Sequence, residues 1–472
     1  MMSFAWLLLA LVYQVQAKAV FAHFMLANSA NFTKTHWEAD ITAAKAAHID
    51  AFALNTAYGA ANATKLLNDA FAVASDLDFK LFLSFDYSAG GWPADQVTDW
   101  LKNYTTHPAY FTDSTTKHPL VSTFEGYQAT GDWSSIKSKV NVSLIPDWST
   151  KTPAQLAALS VVDGLMSWSA WPYGSDAMNT TSDQEYMTAL KAHNKAYIMP
   201  VSPWFYTDMV RYDKNWVWQG DDLWYTRWQQ VIQLQPEYVE IITWNDFGES
   251  HYIGPLHENE LGIFQYGGSP FNYAENYPHD GWRLTLPYVI DQFKNGSAEV
   301  EDEGVVVWYR LTPGSACPAG QTTGNTESQN QNTMPPGDVL LDKVFFSALL
   351  DEEADVAVSI GGKNQTVQWG ETPKGGKGVY HGNLDMDNRT GEVVVTLSRD
   401  GKFVAQVTGE SITKDCPHKL TNWNAWVGSS STNISGNAST SRASLDKSGA
   451  GSSRGVTGLL VVLGLWMFWI AL

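Results

Sequence analysis

Cysteine is almost missing from this chain: Cys317 and Cys416 are the only two in 472 residues. Two cysteines cannot staple a disulfide scaffold, so a packed core has to carry the fold, with one bridge as their simplest use. Positive charge is scarce as well. The 30 Lys and Arg stand against 49 Asp and Glu, a net charge of -19, which argues against nucleic acid and polyanions as partners and favours solubility at neutral pH. Zinc-ligand spacing, a phosphate-binding loop and a dinucleotide fingerprint are absent too, so no metal or organic cofactor is expected. No apolar run reaches the roughly 20 residues that a membrane-spanning helix needs.

Two shorter apolar runs lie at the ends. Residues 4–13, followed by Val15-Gln16-Ala17, have the length and small cleavage-site residues of an export signal, so residues 1–17 are expected to be a signal peptide. Residues 428–455 are mostly Ser, Gly, Ala, Thr and Asn, a linker composition that cannot bury a core, and residues 456–472 form an apolar tail. Small residues Ser448, Gly449 and Ala450 upstream of that tail make a GPI attachment signal the preferred reading over an ordinary C-terminal span. N-x-S/T sequons begin at Asn31, Asn62, Asn103, Asn141, Asn179, Asn295, Asn364, Asn388, Asn433 and Asn437. So many in an exported chain point to a glycosylated surface.

Between the ends, apolar runs of strand character occupy residues 19–25, 51–55, 80–86, 120–125, 142–147, 164–168, 196–201 and 238–245. Helical spacing marks 66–77, 94–103, 153–159, 223–234 and 282–293, and Thr35-x-x-Glu38 and Ser182-x-x-Glu185 have the form of capping boxes. Only the stretch near Trp133 is thin. This alternation predicts a (β/α)8 TIM barrel over residues 18–296, with a doubly wound open sheet as the competing fold. Beyond it, short β-rich runs at 304–310, 356–360, 378–381, 392–399 and 403–408 predict a β-sandwich over residues 297–427, with only 345–352 of helical aspect. Both cysteines fall inside the sandwich, where a bridge would join its two ends.

A barrel places reactive groups at the C-terminal ends of its strands. Those ends carry His23, Asn55, Asp86, Glu125, Asp147, Trp168, Ser202 and the run Trp244-Asn245-Asp246-Phe247-Gly248-Glu249-Ser250-His251. Asp147 also fits a helix N-cap, the commoner role for such a residue. Asp246 and Glu249 flank a glycine at the start of a long loop that runs to Asp280, and loops of that length are usually functional. Glycoside hydrolysis needs two carboxyl groups, and neighbouring carboxyls push their pKa values apart so that one keeps its proton. A purely structural capping role for the pair is the alternative. Tryptophans at predicted loop positions, Trp168, Trp204 and Trp244 among them, offer flat faces for sugar rings. Tyr87, Tyr206, Asn245, His251 and Tyr252 are candidate partners for sugar hydroxyls.

The runs Ala22-His23-Phe24-Met25, Phe85-Asp86, Ile145-Pro146-Asp147-Trp148, Met199-Pro200-Val201-Ser202-Pro203-Trp204-Phe205 and Thr243-Trp244-Asn245-Asp246-Phe247-Gly248-Glu249-Ser250-His251-Tyr252-Ile253-Gly254-Pro255 together resemble the fungal endo-1,3-α-glucanases, or mutanases, of glycoside hydrolase family 71. The resemblance runs from about residue 18 to beyond residue 408. It implies a barrel with a β-sandwich companion and endo-acting hydrolysis of α-1,3-glucan with inversion. It also implies Asp246 and Glu249 as the acidic pair, with Asp86 as a third acid. The expected order has Glu249 as acid and Asp246 as base, their carboxyl groups roughly 6.5–9.5 Å apart as inversion requires. The partner is then a polysaccharide, the chain a monomer, and any membrane attachment runs through the tail alone. An inert wall-binding barrel and a glucan transglycosylase are the competing functions.

Overall fold

The computed structural model describes residues 18–88 and 90–432. The expected signal peptide, Asn433, Asn437 and the expected anchoring tail lie outside the described residues, and no described helix is long and apolar enough to cross a membrane. The first strands are β1 (Ala19–Met25), β2 (Ala51–Ala57), β3 (Lys80–Asp86), β4 (Leu120–Phe124), β5 (Ser143–Leu144), β6 (Gly164–Met166), β7 (Ala196–Val201), β8 (Tyr206–Met209), β9 (Lys214–Val217) and β10 (Tyr238–Ile241). Eight of them form one parallel sheet in the order β5-β4-β3-β2-β1-β10-β7-β6. The backbone of Asp147 bridges both Phe124 and Met166 and so closes the ring between β4 and β6. The chain is thus a TIM barrel, and the open doubly wound sheet is excluded. Its strands read as unbroken apolar runs because both faces are buried, one by the barrel interior and one by helices.

The helices of the ring are α1 (Lys34–Ala46), α2 (Ala63–Asp76), α3 (Ala94–Tyr104), α4 (Thr130–Lys139), α5 (Pro153–Ala157), α6 (Thr181–Lys191), α7 (Leu223–Leu234), α8 (Ile263–Gly267) and α9 (Leu286–Asn295). α4 fills the stretch that looked thin, burying Trp133 and Ile136. The caps fall earlier than expected. Thr33 precedes α1 and its N–H donates to His36 Nδ1 at 3.1 Å, while Thr180 precedes α6 and leaves Ser182 inside the first turn.

The second half contributes β11 (Gly304–Tyr309), β12 (Thr323–Gly324), β13 (Lys343–Leu350), β14 (Asp355–Ile360), β15 (Lys363–Val367), β16 (Gly378–Asp385), β17 (Gly391–Arg399), β18 (Lys402–Ile412) and β19 (Trp426–Ser431). The stretch expected to be helical at 345–352 is largely strand β13. Its buried aromatic and branched residues pair with β11 on one side and β16 on the other, and that two-sided pairing overrides local propensity. Sheets β16-β13-β11-β19 and β15-β14-β17-β18 enclose a core of Val305, Val307, Val358 and Val395. The other face of the first sheet continues the barrel core through Trp308 and Phe345. Trp308 Nε1 donates to the Asp221 carbonyl at 2.9 Å, and His381 stacks on Tyr225 of α7 at 4.7 Å. Cys317 and Cys416 are joined, their Cα atoms 5.8 Å apart.

Candidate active site

The motif after β10 folds into a tight turn. Thr243 Oγ1 accepts from the Asp246 N–H at 2.9 Å, and Asp246 Oδ1 accepts from the Glu249 N–H at 3.1 Å. Gly248 packs closely here: a Cβ would lie 3.1 Å from the end of the Met209 side chain. His251 is buried behind the turn with Nδ1 3.1 Å from Thr243 Oγ1 and Nε2 3.0 Å from Glu249 Oε2. A neutral imidazole protonated on Nε2 satisfies both contacts, donating to the carboxylate and accepting from the hydroxyl. The other oxygen of Glu249 meets Lys214 Nζ at 2.5 Å. Lys214 comes from the β8–β9 hairpin.

These contacts divide the charge of the pair. Burial opposes ionisation of Glu249, but Lys214 and His251 outweigh it and hold its carboxyl well below the usual range. Burial and the neighbouring Glu249 anion push Asp246 upward. Lys214 is raised although burial works against it, by Glu249 first and then by Asp246 and Asp86. The raised member of the pair is Asp246, whereas the expected order has Glu249 as the acid. An oxygen of Asp246, an oxygen of Glu249 and a nitrogen of His251 lie within 4.8 Å of one another. No other such grouping of His, Cys, Asp and Glu occurs among the described residues; here the Lys214 ammonium already supplies the positive charge.

A second acidic group lines the neighbouring strand ends. Asp86 ends β3, and its Oδ1 accepts from Ser88 N at 2.8 Å and Ser88 Oγ at 2.6 Å. Glu125 follows β4 with a left-handed φ of 52°, beside Gly126 at 98°. A Cβ on Gly126 would sit 2.6 Å from the Tyr87 ring, so glycine lets that ring seat under the turn. Burial pushes Glu125 up to about 7, against a hydrogen bond from Ser149 and with help from Asp86. Asp147 is raised well above its ordinary value by burial and then by Glu125, and its Oδ2 is buried without a partner. His23 Nδ1 lies 2.7 Å from Glu240 Oε1, and its ring meets Trp168 edge-on at 5.1 Å. Asn55, in register with Met25, is almost fully buried at the end of the same strand layer.

Several expected sugar contacts lie elsewhere. Asn245 is buried with its amide tied to Met25, accepting from N at 2.8 Å and donating to O at 3.1 Å. Trp244 is buried and donates to Asp40 Oδ2 at 2.9 Å; Trp204 is buried and donates to the Trp423 carbonyl at 3.0 Å. Tyr252 stacks on His279 at 3.9 Å with its hydroxyl on the Tyr277 carbonyl, and Tyr206 packs on Tyr273 at 4.6 Å. All five are packing residues, because their positions turn them inward. The aromatic surface beside the acids comes instead from half-buried Trp171, whose ring lies 5.7 Å from His251, backed by Phe205 and Trp218.

Sequence reasoning missed Lys214. The one available signal was length: 21 positions separate Val201 from Leu223, generous for a connection between β7 and α7. The described asparagines of the sequons, from Asn31 to Asn388, are all exposed.

The profile of glycosyl hydrolase family 71 matches residues 16–440. A glucan endo-1,3-alpha-glucosidase of Schizosaccharomyces pombe is 32% identical over 431 residues, 87% of this chain and 94% of its own. A mutanase of Penicillium rubens is 33% identical over 449 residues, 92% of this chain and 93% of its own. Among solved structures, a GH99 endo-alpha-mannosidase of Bacteroides thetaiotaomicron aligns with 59% of this chain and 97% of its own at a TM-score of 0.45 and 13% identity. With the family profile spanning the barrel, the acidic turn and the β-domain alike, the chain belongs to glycosyl hydrolase family 71.

Proposed function

We propose that this protein is an extracellular glucan endo-1,3-alpha-glucosidase that hydrolyses the α-1,3-glucan of fungal walls. The observation that carries the reading is the acidic pair at the barrel mouth, with the Glu249 N–H on Asp246 Oδ1 at 3.1 Å and the Glu249 carboxylate held by Lys214 at 2.5 Å and His251 at 3.0 Å. The names of the related glucanases supply the linkage.

Asp246 gives its proton to the glycosidic oxygen as the bond from that oxygen to C1 breaks. Glu249 stays ionised beside it, favouring the proton on Asp246 and the positive charge that develops on the sugar ring. In the inverting route proposed here the base stands on another wall. Asp86 fits that role three strands round the ring from β10, near enough to bear on Lys214 and oriented by Ser88. It takes a proton from the water whose oxygen bonds to C1. The short spacing of Asp246 and Glu249 favours a second reading, retention through a glycosyl-enzyme intermediate. The exposed sequons support N-glycosylation at Asn31, Asn62, Asn103, Asn141, Asn179, Asn295, Asn364 and Asn388. β19 takes residues 428–431, expected to be linker, into the β-domain sheet by pairing with β11, and surface anchoring through residues 433–472 belongs to the same proposal.

Proton NMR of the first product formed from an α-1,3-oligosaccharide separates these routes. Inversion yields the β-anomer first and retention the α-anomer. Product chains longer than the substrate would establish a transglycosylase, and binding without any product an inert wall-binding barrel.

A further inference from the structure

Lys214 reaches the acidic turn from an inserted hairpin that the barrel holds on one side only. There, the Tyr206 N–H donates to the Glu249 carbonyl at 3.1 Å, and Tyr273 OH donates to the Gly248 carbonyl at 2.5 Å while accepting from the Asp208 N–H at 3.2 Å. The other side is held by the β-domain. β12 adds to the hairpin in parallel, Thr323 opposite Trp216 and Gly324 opposite Val217. The Asn325 N–H donates to the Val217 carbonyl at 3.1 Å, and Asn215 Nδ2, one residue from Lys214, donates to the Gly320 carbonyl at 2.9 Å. Residues 317–325 are themselves fixed at their start by the Cys317–Cys416 bond and by Thr421, whose N–H donates to the Pro318 carbonyl at 2.8 Å and whose hydroxyl donates to the Cys317 carbonyl at 3.0 Å. A continuous path of one covalent bond and several hydrogen bonds therefore runs from the disulfide to the residue next to Lys214.

We propose that residues 317–325 of the β-domain are a working part of the active site, bracing the hairpin so that Lys214 acts as a positioning residue for the acidic pair. The proposal rests on the hydrolase reading above. The charged and titratable groups bearing on the ammonium are Glu249, Asp246 and Asp86, with His251 on the far oxygen of Glu249. An ammonium held at 2.5 Å keeps Glu249 ionised and leaves the proton to Asp246. With the hairpin loose, Glu249 loses that cation, competes for the proton, and the division between donor and anion weakens. The sandwich domain then has a function beyond support. It determines which member of the pair donates.

The test uses the full chain with an α-1,3-oligosaccharide. Lys214→Met is expected to lower kcat by about 10–100-fold, the share of one placed charge, with KM changed much less. Its acidic limb moves to higher pH because Glu249 titrates later without the ammonium, and Lys214→Arg restores most of that limb. Asn215→Ala and the Cys317→Ser/Cys416→Ser double variant are expected to move the same limb the same way by a smaller amount, with near-UV circular dichroism unchanged. If the double variant does not fold, Asn215→Ala carries this arm alone. Lys214→Met with a wild-type kcat and acidic limb would overturn the role of Lys214. A folded Asn215→Ala with a wild-type limb would overturn the brace. A wild type releasing no sugar from any α-1,3-glucan would instead defeat the hydrolase reading, a separate result.

Discussion

Replacing Glu249 with Gln removes one charge from a crowded turn and acts on two neighbours at once. Asp246 has an oxygen within 4.8 Å of the Glu249 carboxylate. At an effective dielectric of about 20, two unit charges at that distance repel by roughly 3.5 kcal/mol, and solvent reaching the rim lowers the figure. Without that repulsion Asp246 ionises at lower pH, so the variant loses its donor in the range where the wild type still holds it. The alkaline limb of the rate profile therefore moves to lower pH, and kcat falls by about 10²–10⁴-fold, the usual contribution of acid–base catalysis. Lys214, its side chain 37% exposed, loses a partner that is 14% exposed. Breaking a fully buried pair costs about 3–5 kcal/mol; water reaches this ammonium, so about 1–2 kcal/mol is expected here. Rate profiles on a soluble α-1,3-oligosaccharide and urea unfolding at neutral pH measure the two effects. A variant with kcat and alkaline limb both near wild type would refute the charge division.

Three further outcomes are expected. Glu125 holds its proton up to about pH 7, so its neutral form favours the folded state, a contribution present at acid pH and lost as pH rises through about 7. Glu125→Gln should abolish any loss of activity and stability centred there, and an unchanged profile would show that the group does not face the reaction. Trp171→Ala, which removes the half-buried ring beside His251, should raise KM for oligosaccharides by about 5–10-fold, roughly 1 kcal/mol of stacking, and lower the unfolding midpoint too, because the ring packs on Phe205 and Trp218 and its Nε1 donates to the Trp204 carbonyl at 3.1 Å. Trp308→Ala empties a fully buried site between the β-domain and the barrel and frees a hydrogen bond to Asp221. Denaturant unfolding should show a loss of about 3–5 kcal/mol, with activity per folded molecule retained.

The barrel was legible because burial on both faces leaves a signal that needs no partner to be read. The apolar runs at β1, β3 and β7 end where those strands end. β5 itself ends at Leu144, but the Ile145 and Asp147 N–H groups go on donating to the Val121 and Thr123 carbonyls at 2.9 Å, so the run to Asp147 follows the ladder as far as it was read. The acids were legible as candidates for a related reason, since a barrel places reactive groups at the C-terminal ends of its strands. Direction was not legible: composition cannot say that Trp204, Trp244 and Tyr252 turn inward whereas Trp171 faces His251. That depends on register and on neighbours such as Trp423 and His279. Lys214 was hidden more deeply. Its role comes from a hairpin braced by residues more than 100 positions away, and no local pattern encodes such a contact. The bearing of Lys214 on the order of acid and base was hidden for the same reason.

The most direct test of the account is reducing sugar released from insoluble α-1,3-glucan, beside β-1,3-glucan and starch, by the wild type and by Asp246→Asn. The account predicts release from the α-1,3-glucan alone, abolished in the variant while glucan binding persists. Equal release by the variant would remove Asp246 from the chemistry, and release from β-1,3-glucan or starch instead would contradict the substrate.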